Sequence, residues 1–344
     1  MNRERFQQIT GRYRDLKIAI VGDFCLDRYL EIDPARAEIS IETGLPVYNV
    51  VRVRSQPGAA GTILNNLVAL GVGEIFAVGF CGEDGEGFEL KRSLAAQPTV
   101  NLEHFVTTPL RRTFVYCKPL VLEPGQPPRE LNRLDSKNWT ETPAALQLDL
   151  ASRVAALANR VDAMILMDQV DLAETGVVSR PVAAAARAAV VSRPDLLVLA
   201  DSRRGLQHFP PLGFKMNAAE LSRLSGAAAE SPASVKAQAT ELAAKNGQPV
   251  FVTLAEQGIV GAAPGQPAEH VPAYPIRGPI DIVGAGDATM ANLTAALAGG
   301  ADIPEAMQLA MTGASLVIHQ LGTTGTATVP QLAELLEKRI ADNQ

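Results

Sequence analysis

Short apolar runs rich in β-branched residues alternate with longer Ala- and Leu-rich segments along this chain. The short runs predict buried strands, and the longer segments, in which apolar residues recur at helical spacing, predict helices. The predicted strands are Ile18–Val21, Ile75–Gly79, Ala163–Met167, Leu196–Ala200 and Val250–Thr253. The predicted helices are Gly61–Leu70, Gly85–Ala96, Ala144–Ala158, Arg180–Val191, Ser234–Asn246, Asp287–Ala298, Ile303–Gln320 and Pro330–Asp342. Buried strands that alternate with helices indicate an α/β fold, a mostly parallel sheet covered by helices on both faces.

Two segments depart from this alternation. Residues 28–54 and 104–133 alternate polar and apolar positions, most clearly in LPVYNVVRV and FVYCKPLVL. This pattern predicts antiparallel strands outside the main sheet, with the Pro- and Gly-rich segment Glu123–Pro128 as a hairpin loop. Such a half-exposed sheet either folds over a ligand as a lid or pairs with a second subunit. We expect one domain over residues 1–344, with this lid inserted in it.

Composition narrows the function classes. The 344 residues are 47% hydrophobic with a formal net charge of −6, as in a soluble protein with a large core. A mildly acidic chain without a basic run is not expected to bind nucleic acid. No apolar run reaches transmembrane length and the charged N-terminus is no signal peptide, so we expect no membrane association. Three widely spaced cysteines indicate reduced thiols in a cytoplasmic protein, and four scattered histidines argue against a His-rich metal site.

The most informative motif is the turn Asp281-Ile-Val-Gly-Ala-Gly-Asp287, which leads into a long helical pattern. Its small residues allow a sharp turn, so the N–H groups of Gly284, Ala285 and Gly286 can converge on an anion at the helix N-terminus. Asp287 can then accept a proton from a hydroxyl beside a migrating phosphoryl group. The alternative is an ordinary strand-to-helix turn with a solvated Asp, and the remaining motifs favour the site.

Other polar positions follow predicted strands. Asp27 comes directly after the first strand, where its carboxylate can accept hydroxyl protons from a sugar or lie solvated in a loop. Asn217 and Glu220 are three residues apart at the start of a helix, so they share one face. They are candidates for a phosphate contact and, through water, a magnesium site, or they form a capping box. Asp168 and Asp201 end predicted strands, and we interpret them as strand-end caps rather than cleft residues.

Two loops complete the set. Val252–Gly258 reads as strand, turn and hairpin, a suitable wall for a nucleotide base, and Leu321–Pro330 is a second Gly- and Thr-rich loop. The chain resembles the pfkB (ribokinase-like) carbohydrate kinases over about Lys17 to Pro330. The resemblance is carried by six motifs in the family's order: GDxxLDRY, PGxA…N…LG, NxxE, VTLxEQG, DxxGAGD and LGT. Within that family the chain is similar to the D-glycero-β-D-manno-heptose 7-phosphate kinase branch. The resemblance implies a ribokinase-like three-layer α/β/α fold and an ATP-dependent sugar kinase.

The resemblance also implies roles for matching positions. Asp287 matches the catalytic base, and Gly284, Ala285 and Gly286 match the anion hole. Asn217 and Glu220 match residues that organise phosphate and Mg²⁺, and Asp281 matches a position near a monovalent-cation site, which in this chain would hold K⁺. The positions expected to border the adenine nucleotide are Thr253, Ala255, Gly258 and Gly322. The positions expected to bind the sugar are Asp27, Gly58, Thr62 and Arg133.

The chain departs from the family pattern at four positions. Ala59 and Thr62 stand where relatives carry Gly and a sugar-binding Asn, which leaves open which sugar binds. Ile282 and Ala255 replace a Thr and a small nucleotide-side residue, and we interpret both as packing changes. A phosphorylated substrate requires a cationic anchor, for which the candidates are Arg111, Arg112, Arg133 and Arg203.

Three functions therefore stay open from the sequence. They are a sugar-phosphate kinase, a kinase of a neutral sugar or nucleoside, and a non-catalytic sugar or nucleotide sensor. In the heptose branch the kinase is often fused to a C-terminal nucleotidyltransferase, and with the sequence ending at Gln344 we expect a kinase domain alone. The resemblance also implies a homodimer that forms through the lid strands.

Overall fold

A ten-stranded sheet forms the centre of the molecule in the computed structural model, which describes residues 1–229 and 231–342. Its strands are β1 (Lys17–Gly22), β6 (Glu74–Gly82), β7 (Val100–Asn101), β8 (Phe105–Thr108), β11 (Ala163–Asp168), β12 (Leu197–Ser202), β13 (Gly213–Asn217), β14 (Val250–Thr253), β15 (Ile259–Ala262) and β16 (Glu269–Val271). The order is β16-β15-β14-β13-β12-β11-β1-β6-β7, and β8 also pairs with β6. The strands from β14 to β7 run parallel, and β15 and β16 extend the sheet as antiparallel strands.

Helices cover both faces of this sheet. They are α1 (Arg3–Thr10), α2 (Ala60–Ala69), α3 (Gly85–Ala95), α4 (Ala144–Leu157), α5 (Arg180–Ser192), α6 (Ala218–Ser225), α7 (Pro232–Asn246), α8 (Ala285–Ala298), α9 (Ile303–Val317) and α10 (Val329–Asp342). Successive β1 side chains enter opposite cores: Ile18 and Ile20 pack in the one that contains α2, α8 and α9, and Ala19 and Val21 in the one that contains α4, α5 and α7. The predicted three-layer α/β/α fold is therefore confirmed.

A smaller four-stranded sheet stands beside the main one. It consists of β2 (Phe24–Ile32), β5 (Val50–Ala59), β9 (Phe114–Val121) and β10 (Arg129–Glu130), in the order β10-β9-β2-β5, and the short strands β3 (Glu38–Ile39) and β4 (Pro46–Val47) form a separate pair. The β9–β10 hairpin contains the predicted loop at residues 123–128. Since β2 enters this sheet directly after β1, side chains at its start lie near the carboxyl ends of the main strands.

The expected lid differs from the observed sheet in two respects. The prediction that all its strands are antiparallel is wrong, because β2 and β9 pair in parallel. The assignment of residues 105–108 to the lid is also wrong, because β8 pairs with β6 of the main sheet. A polar–apolar alternation indicates a half-buried strand but does not specify which neighbour it pairs with.

Candidate active site

The N-terminus of α8 forms the centre of the candidate site. Gly284 precedes the helix with φ +85°, a conformation that favours glycine. The N–H of Ala285 donates to the Ile282 carbonyl at 3.2 Å, whereas the next two N–H groups, of Gly286 and Asp287, have no partner within the first helical turn. The predicted turn and helix are thus present, and the positive end of α8 lies directly beside the Asp287 carboxylate.

Asp287 is half-buried among charged side chains that come from neighbouring strands. The pKa of Asp287 is raised to about 7, mainly by burial; the charge of Lys215 lowers it, and the charges of Asp201 and Asp27 add to the rise. Since Asp27 lies on β2, this interaction brings the predicted sugar-binding acid and the predicted base into one electrostatic site. A carboxyl that titrates near pH 7 is suited to general-base chemistry.

Lys215, near the end of β13, is a site residue that the sequence pattern did not reveal. Its buried ammonium donates to Asp201 Oδ2 at 2.6 Å. Burial alone would lower the Lys215 pKa, but the charge and hydrogen bond of Asp201 outweigh it, so the pKa is raised. A Cβ added at Gly286 would lie 3.1 Å from Lys215 Nζ. Asp201 therefore lines the site, and its interpretation as a strand-end cap is wrong. The sequence signal for Lys215 was a lysine inside an apolar strand.

Asn217 and Glu220 form the capping box that the sequence left as an alternative. The Glu220 N–H donates to Asn217 Oδ1 at 2.9 Å, and the Asn217 N–H donates to Glu220 Oε2 at 2.7 Å. Burial raises the pKa of Glu220, and the nearby charge of Asp201 adds to this effect. The second carboxylate oxygen of Glu220 and the Asn217 amide N–H₂ lie outside this pair of bonds. The box thus holds both side chains at the end of β13 next to Lys215.

Two loops border this strand end. Thr253 ends β14 opposite Asn217, and the hairpin to β15 contains Ala255 with φ +50° and Gly258 with φ +97°. This hairpin is the one predicted over residues 252–258. On the other side, the loop after α9 contains Gly322, with φ +71°, and packs Thr324 against the N-terminus of α8. A Cβ added at Gly284 would lie 3.4 Å from Thr324 Cβ.

Asp27 is buried between β5 and β9, which pair with β2 on either side. Gly58 lies against its carboxylate, because an added Cβ there would be 2.7 Å from Asp27 Cγ. Burial raises the Asp27 pKa, and the positive charges of Lys118 and Arg133 oppose this rise. Lys118 Nζ lies 4.0 Å from Asp27 Oδ2. Of the predicted sugar-side residues, Asp27, Gly58 and Arg133 are thus close together.

Ala59 and Thr62, the two expected departures from the family pattern on the sugar side, lie at the start of helix α2. Ala59 is its N-cap with φ +53° and ψ −115°, a backbone conformation usually occupied by glycine. Thr62 is fully buried in the first turn of the same helix. Ala59 therefore adopts a positive-φ backbone conformation that favours glycine.

The candidate cationic anchors have different environments. Arg111 is buried and donates to the carbonyl oxygens of Thr140, Glu141 and Thr175, so its interpretation as an anchor is wrong. Arg112 binds Asn138 through its backbone. Arg133 pairs with Asp135 and stacks on the Tyr116 ring at 4.9 Å, and Arg203 pairs with Asp171 at 3.3 Å.

Two further predicted acids have their own partners. Asp168 is buried and accepts hydrogen bonds from Ser202 and Arg204, each at 2.7 Å, so it holds the ends of β11 and β12. Asp281 Oδ1 accepts the Val283 N–H at 3.0 Å, and its backbone N–H donates to Ile318. Asp281 thus shapes the turn before α8.

The family described as pfkB family carbohydrate kinase matches residues 17–330 of the chain. The chain belongs to this family. The family predicted from the six motifs is thereby confirmed.

Curated relatives agree with this pfkB assignment. The chain is 31% identical over 326 residues to bifunctional protein HldE of Azorhizobium caulinodans, an alignment that covers 94% of this chain and 65% of the relative. It is 32% identical over 335 residues to bifunctional protein HldE of Azotobacter vinelandii, covering 95% and 65%. The chain thus spans 65% of the length of these relatives.

Solved structures support the fold. Ribokinase of Arabidopsis thaliana, complexed with ribose and ATP, superposes with a TM-score of 0.66 at 19% identity, covering 94% of this chain and 99% of that one. Phosphofructokinase-2 of Escherichia coli, in complex with substrates and products, gives a TM-score of 0.69 at 17% identity, covering 94% and 99%. This pfkB-family chain therefore has the ribokinase-like fold.

The family implies ATP and a divalent metal, and the residues present fit both. The open N-terminal turn of α8, the glycine at 286 and the buried Lys215 provide N–H donors and a positive charge for a phosphate chain. Within the described residues, no group of three His, Cys, Asp or Glu side chains is arranged to hold a metal ion. Mg²⁺ bound through phosphates and one carboxylate, such as Glu220, requires no such group.

Among residues 1–229 and 231–342, no helix is both long and apolar enough to span a membrane.

Proposed function

We propose that this pfkB-family chain is an ATP-dependent kinase that phosphorylates a hydroxyl of a sugar phosphate, with a heptose 7-phosphate as the leading candidate. The observation that carries this proposal is Asp287, a carboxyl with a pKa of about 7 at the N-terminus of α8, electrostatically coupled to the buried Asp27. An anion site and a base beside a sugar-binding acid are the parts that phosphoryl transfer to an alcohol requires.

In this mechanism Asp287 takes the proton of the acceptor hydroxyl as that oxygen attacks the γ-phosphorus of ATP. A new O–P bond forms, the bond from the γ-phosphorus to the bridging oxygen breaks, and ADP leaves with that oxygen. The Gly286 and Asp287 N–H groups and Lys215 stabilise the charge on the transferring group. Glu220 and Asn217 would position Mg²⁺, which offsets phosphate charge, and the second oxygen of Asp281 would bind K⁺.

Asp27 would hold the sugar, since it accepts hydroxyl protons next to the backbone at Gly58. Four basic side chains lie around the Tyr116 ring and Asp27: Lys118, Arg133, Lys137 and Arg203. Lys137 also lines a cleft whose walls include Phe114, Tyr116 and Trp139. A phosphate on the substrate can exchange with the acids that now pair with these cations, because a phosphate binds guanidinium bidentately. HldE proteins at 31–32% identity agree with the heptose 7-phosphate kinase resemblance.

One observation favours a second candidate, a kinase of a neutral sugar or nucleoside. All four of these cations already have acidic partners: Arg133 pairs with Asp135, Lys118 lies near Asp27, and both Lys137 and Arg203 pair with Asp171. Thr62 also offers no amide where relatives bind sugar with an Asn. The third function, a sensor, is disfavoured because ligand binding alone needs no base such as Asp287.

An ADP-release assay with heptose phosphates, hexose phosphates, free hexoses, pentoses and nucleosides tests these alternatives. We expect turnover with a heptose phosphate, and Asp287→Asn should reduce it about a hundredfold or more while AMP-PNP affinity stays similar. Asp195→Asn, at an exposed carboxylate, is the matched control and should behave as wild type. Turnover with neutral sugars or nucleosides alone would select the second candidate. Near-normal turnover in Asp287→Asn would reject the base assignment.

We also propose that two chains assemble through the smaller sheet and that the protein works in the cytoplasm. Strand β5 is an edge of that sheet and exposes Val51 and Val53. Cys25, Cys81 and Cys117 are all buried and unpaired, as expected in a reducing compartment.

A further inference from the structure

Gln56 connects the smaller sheet to the loop that adjoins the N-terminus of α8. It lies on β5 directly opposite Asp27 of β2, so the two side chains are on the same face of the sheet. Its amide Nε2 donates to Thr324 Oγ1 at 2.5 Å, and its Oε1 accepts from Thr323 Oγ1 at 3.4 Å. The half-buried Gln56 amide thus donates one hydrogen bond to this loop and accepts another from it.

That loop, residues 321–326, is also attached to the body of the protein. The Gln320 side-chain amide binds the backbone of Thr326 twice: it donates to the Thr326 carbonyl at 2.7 Å and accepts from the Thr326 N–H at 3.2 Å. Asn66 of α2 reaches the Gly325 carbonyl at 3.4 Å. Thr324 lies beside Gly284, the N-cap of α8, since a Cβ added at that glycine would be 3.4 Å from Thr324 Cβ.

The smaller sheet has a second attachment to the main body, at the residue that follows Asp27. Arg28 of β2 pairs with Glu86 and Glu89 of α3. Because Arg28 and Asp27 are consecutive in β2, this ion pair lies on the opposite face of the sheet from Asp27 and Gln56. The Gln56–Thr324 hydrogen bond is thus a separate link, from the face of the sheet that carries Asp27 to the loop beside α8.

We propose that Gln56 is a positioning residue that couples nucleotide binding at the N-terminus of α8 to closure of the smaller sheet over the acceptor. Nucleotide orders Thr324, Thr324 holds Gln56, and Gln56 holds the strands that present Asp27. By linkage, an acceptor bound at Asp27 strengthens nucleotide binding by the same factor. The inference rests on the proposed function, because it requires that a nucleotide binds at α8.

Hydrogen–deuterium exchange of the full chain, with and without Mg²⁺ and AMP-PNP and without any sugar, tests this coupling. In the wild-type protein, nucleotide should slow amide exchange in β2 and β5 by about three- to tenfold, the effect of one neutral hydrogen bond. Gln56→Leu and Thr324→Val should still bind AMP-PNP but lose this slowing. Thr326→Val is the matched control, since Thr326 contacts Gln320 through its backbone, and it should retain the slowing.

The outcomes separate the two proposals. Slowing that persists in both Gln56→Leu and Thr324→Val would overturn the coupling role, as would AMP-PNP binding to the wild type without any slowing in β2 and β5. Loss of AMP-PNP binding in folded Thr324→Val would place that side chain in the nucleotide site and reject the positioning role. A wild-type protein that does not bind AMP-PNP would reject the proposed function together with the coupling. If Gln56→Leu fails to fold, Thr324→Val decides alone.

Discussion

At the scale of single residues, Asp287 combines a functional advantage with a cost in stability. Its carboxyl has an ordinary pKa near 3.8 in the unfolded chain and a pKa of about 7 in the folded protein. Between about pH 4 and pH 7 the folded state therefore binds more protons than the unfolded state, so this group makes stability fall as the pH rises. Asp287 can act as a base only as the charged carboxylate, and that is the form that the fold disfavours.

This relation predicts that Asp287→Asn unfolds at a higher temperature than the wild type at pH 8. The neutral amide avoids the charge that the fold disfavours, so the difference should shrink as the pH falls from 7 to below 4, where Asp287 is protonated in both states. Thermal denaturation across this pH range measures it. The exposed Asp195→Asn should show no such trend, and a pH-independent difference for Asp287→Asn would contradict the prediction.

Ala59 is a second residue whose conformation carries a cost. At φ +53° and ψ −115°, an alanine is strained by about 1–3 kcal/mol. Ala59→Gly removes that strain but adds about 0.4–1 kcal/mol of conformational freedom to the unfolded chain. We expect the free energy of unfolding to increase by about 1 kcal/mol, measured by urea denaturation.

The control for Ala59→Gly is Ala155→Gly at an exposed position inside α4, which should lose about 0.5–1 kcal/mol. Equal losses in both variants would show that the backbone at 59 is not strained.

At the scale of elements, neighbouring strands β12 and β13 set the charge around the base. Asp201 and Lys215 form one ion pair but act on Asp287 in opposite directions. Lys215→Met should raise the pKa of Asp287, and Asp201→Asn should lower it. The acidic limb of kcat/KM against pH should therefore move to higher pH in the first variant and to lower pH in the second.

The pH profiles of these two variants measure the prediction, and Lys215→Arg, which keeps the charge, should restore the wild-type limb. Movement of the limb in the same direction for both Lys215→Met and Asp201→Asn would show that the ion pair does not set the pKa of Asp287.

Elements also show how far the sequence can predict this protein. Local patterns located the main strands, the α8 turn and Asp287, because turn residues and hydrophobic periodicity act between near neighbours. Lys215 and Gln56 escaped prediction because their roles depend on contacts with Asp201 and Thr324 across the fold. The prediction of Arg111 as a phosphate anchor is wrong because the loop carbonyls that it binds come close to it only in the folded chain.

At the scale of the whole molecule, the smaller sheet has an exposed apolar surface. The exposed side chains on β3, on β5 and on the connection between them are Ile39, Ile41, Leu45, Tyr48, Val50, Val51 and Val53. Exposed apolar side chains beside an unpaired strand edge are typical of a protein–protein interface. A second copy of the chain would cover both the side chains and the edge.

We therefore expect light scattering to give about twice the chain mass of 36.4 kDa for the wild type. The double variant Val51→Lys and Val53→Lys should give a single chain mass, because it places charges in the interface. Val191→Lys, at a more exposed valine on α5, is the matched control and should remain dimeric. A wild-type monomer would contradict the proposed assembly.

The parallel pairing of β2 with β9 has a consequence for how the chain reaches its native state. The two strands are distant in sequence, and β6 and α3 of the main body lie between them along the chain. Local hairpin formation cannot produce this pairing, so its loop-closure entropy is offset only after the intervening elements have docked. The sheet that presents Asp27 should consequently consolidate late in folding, and the capacity to hold an acceptor should be the last property that a refolding molecule regains.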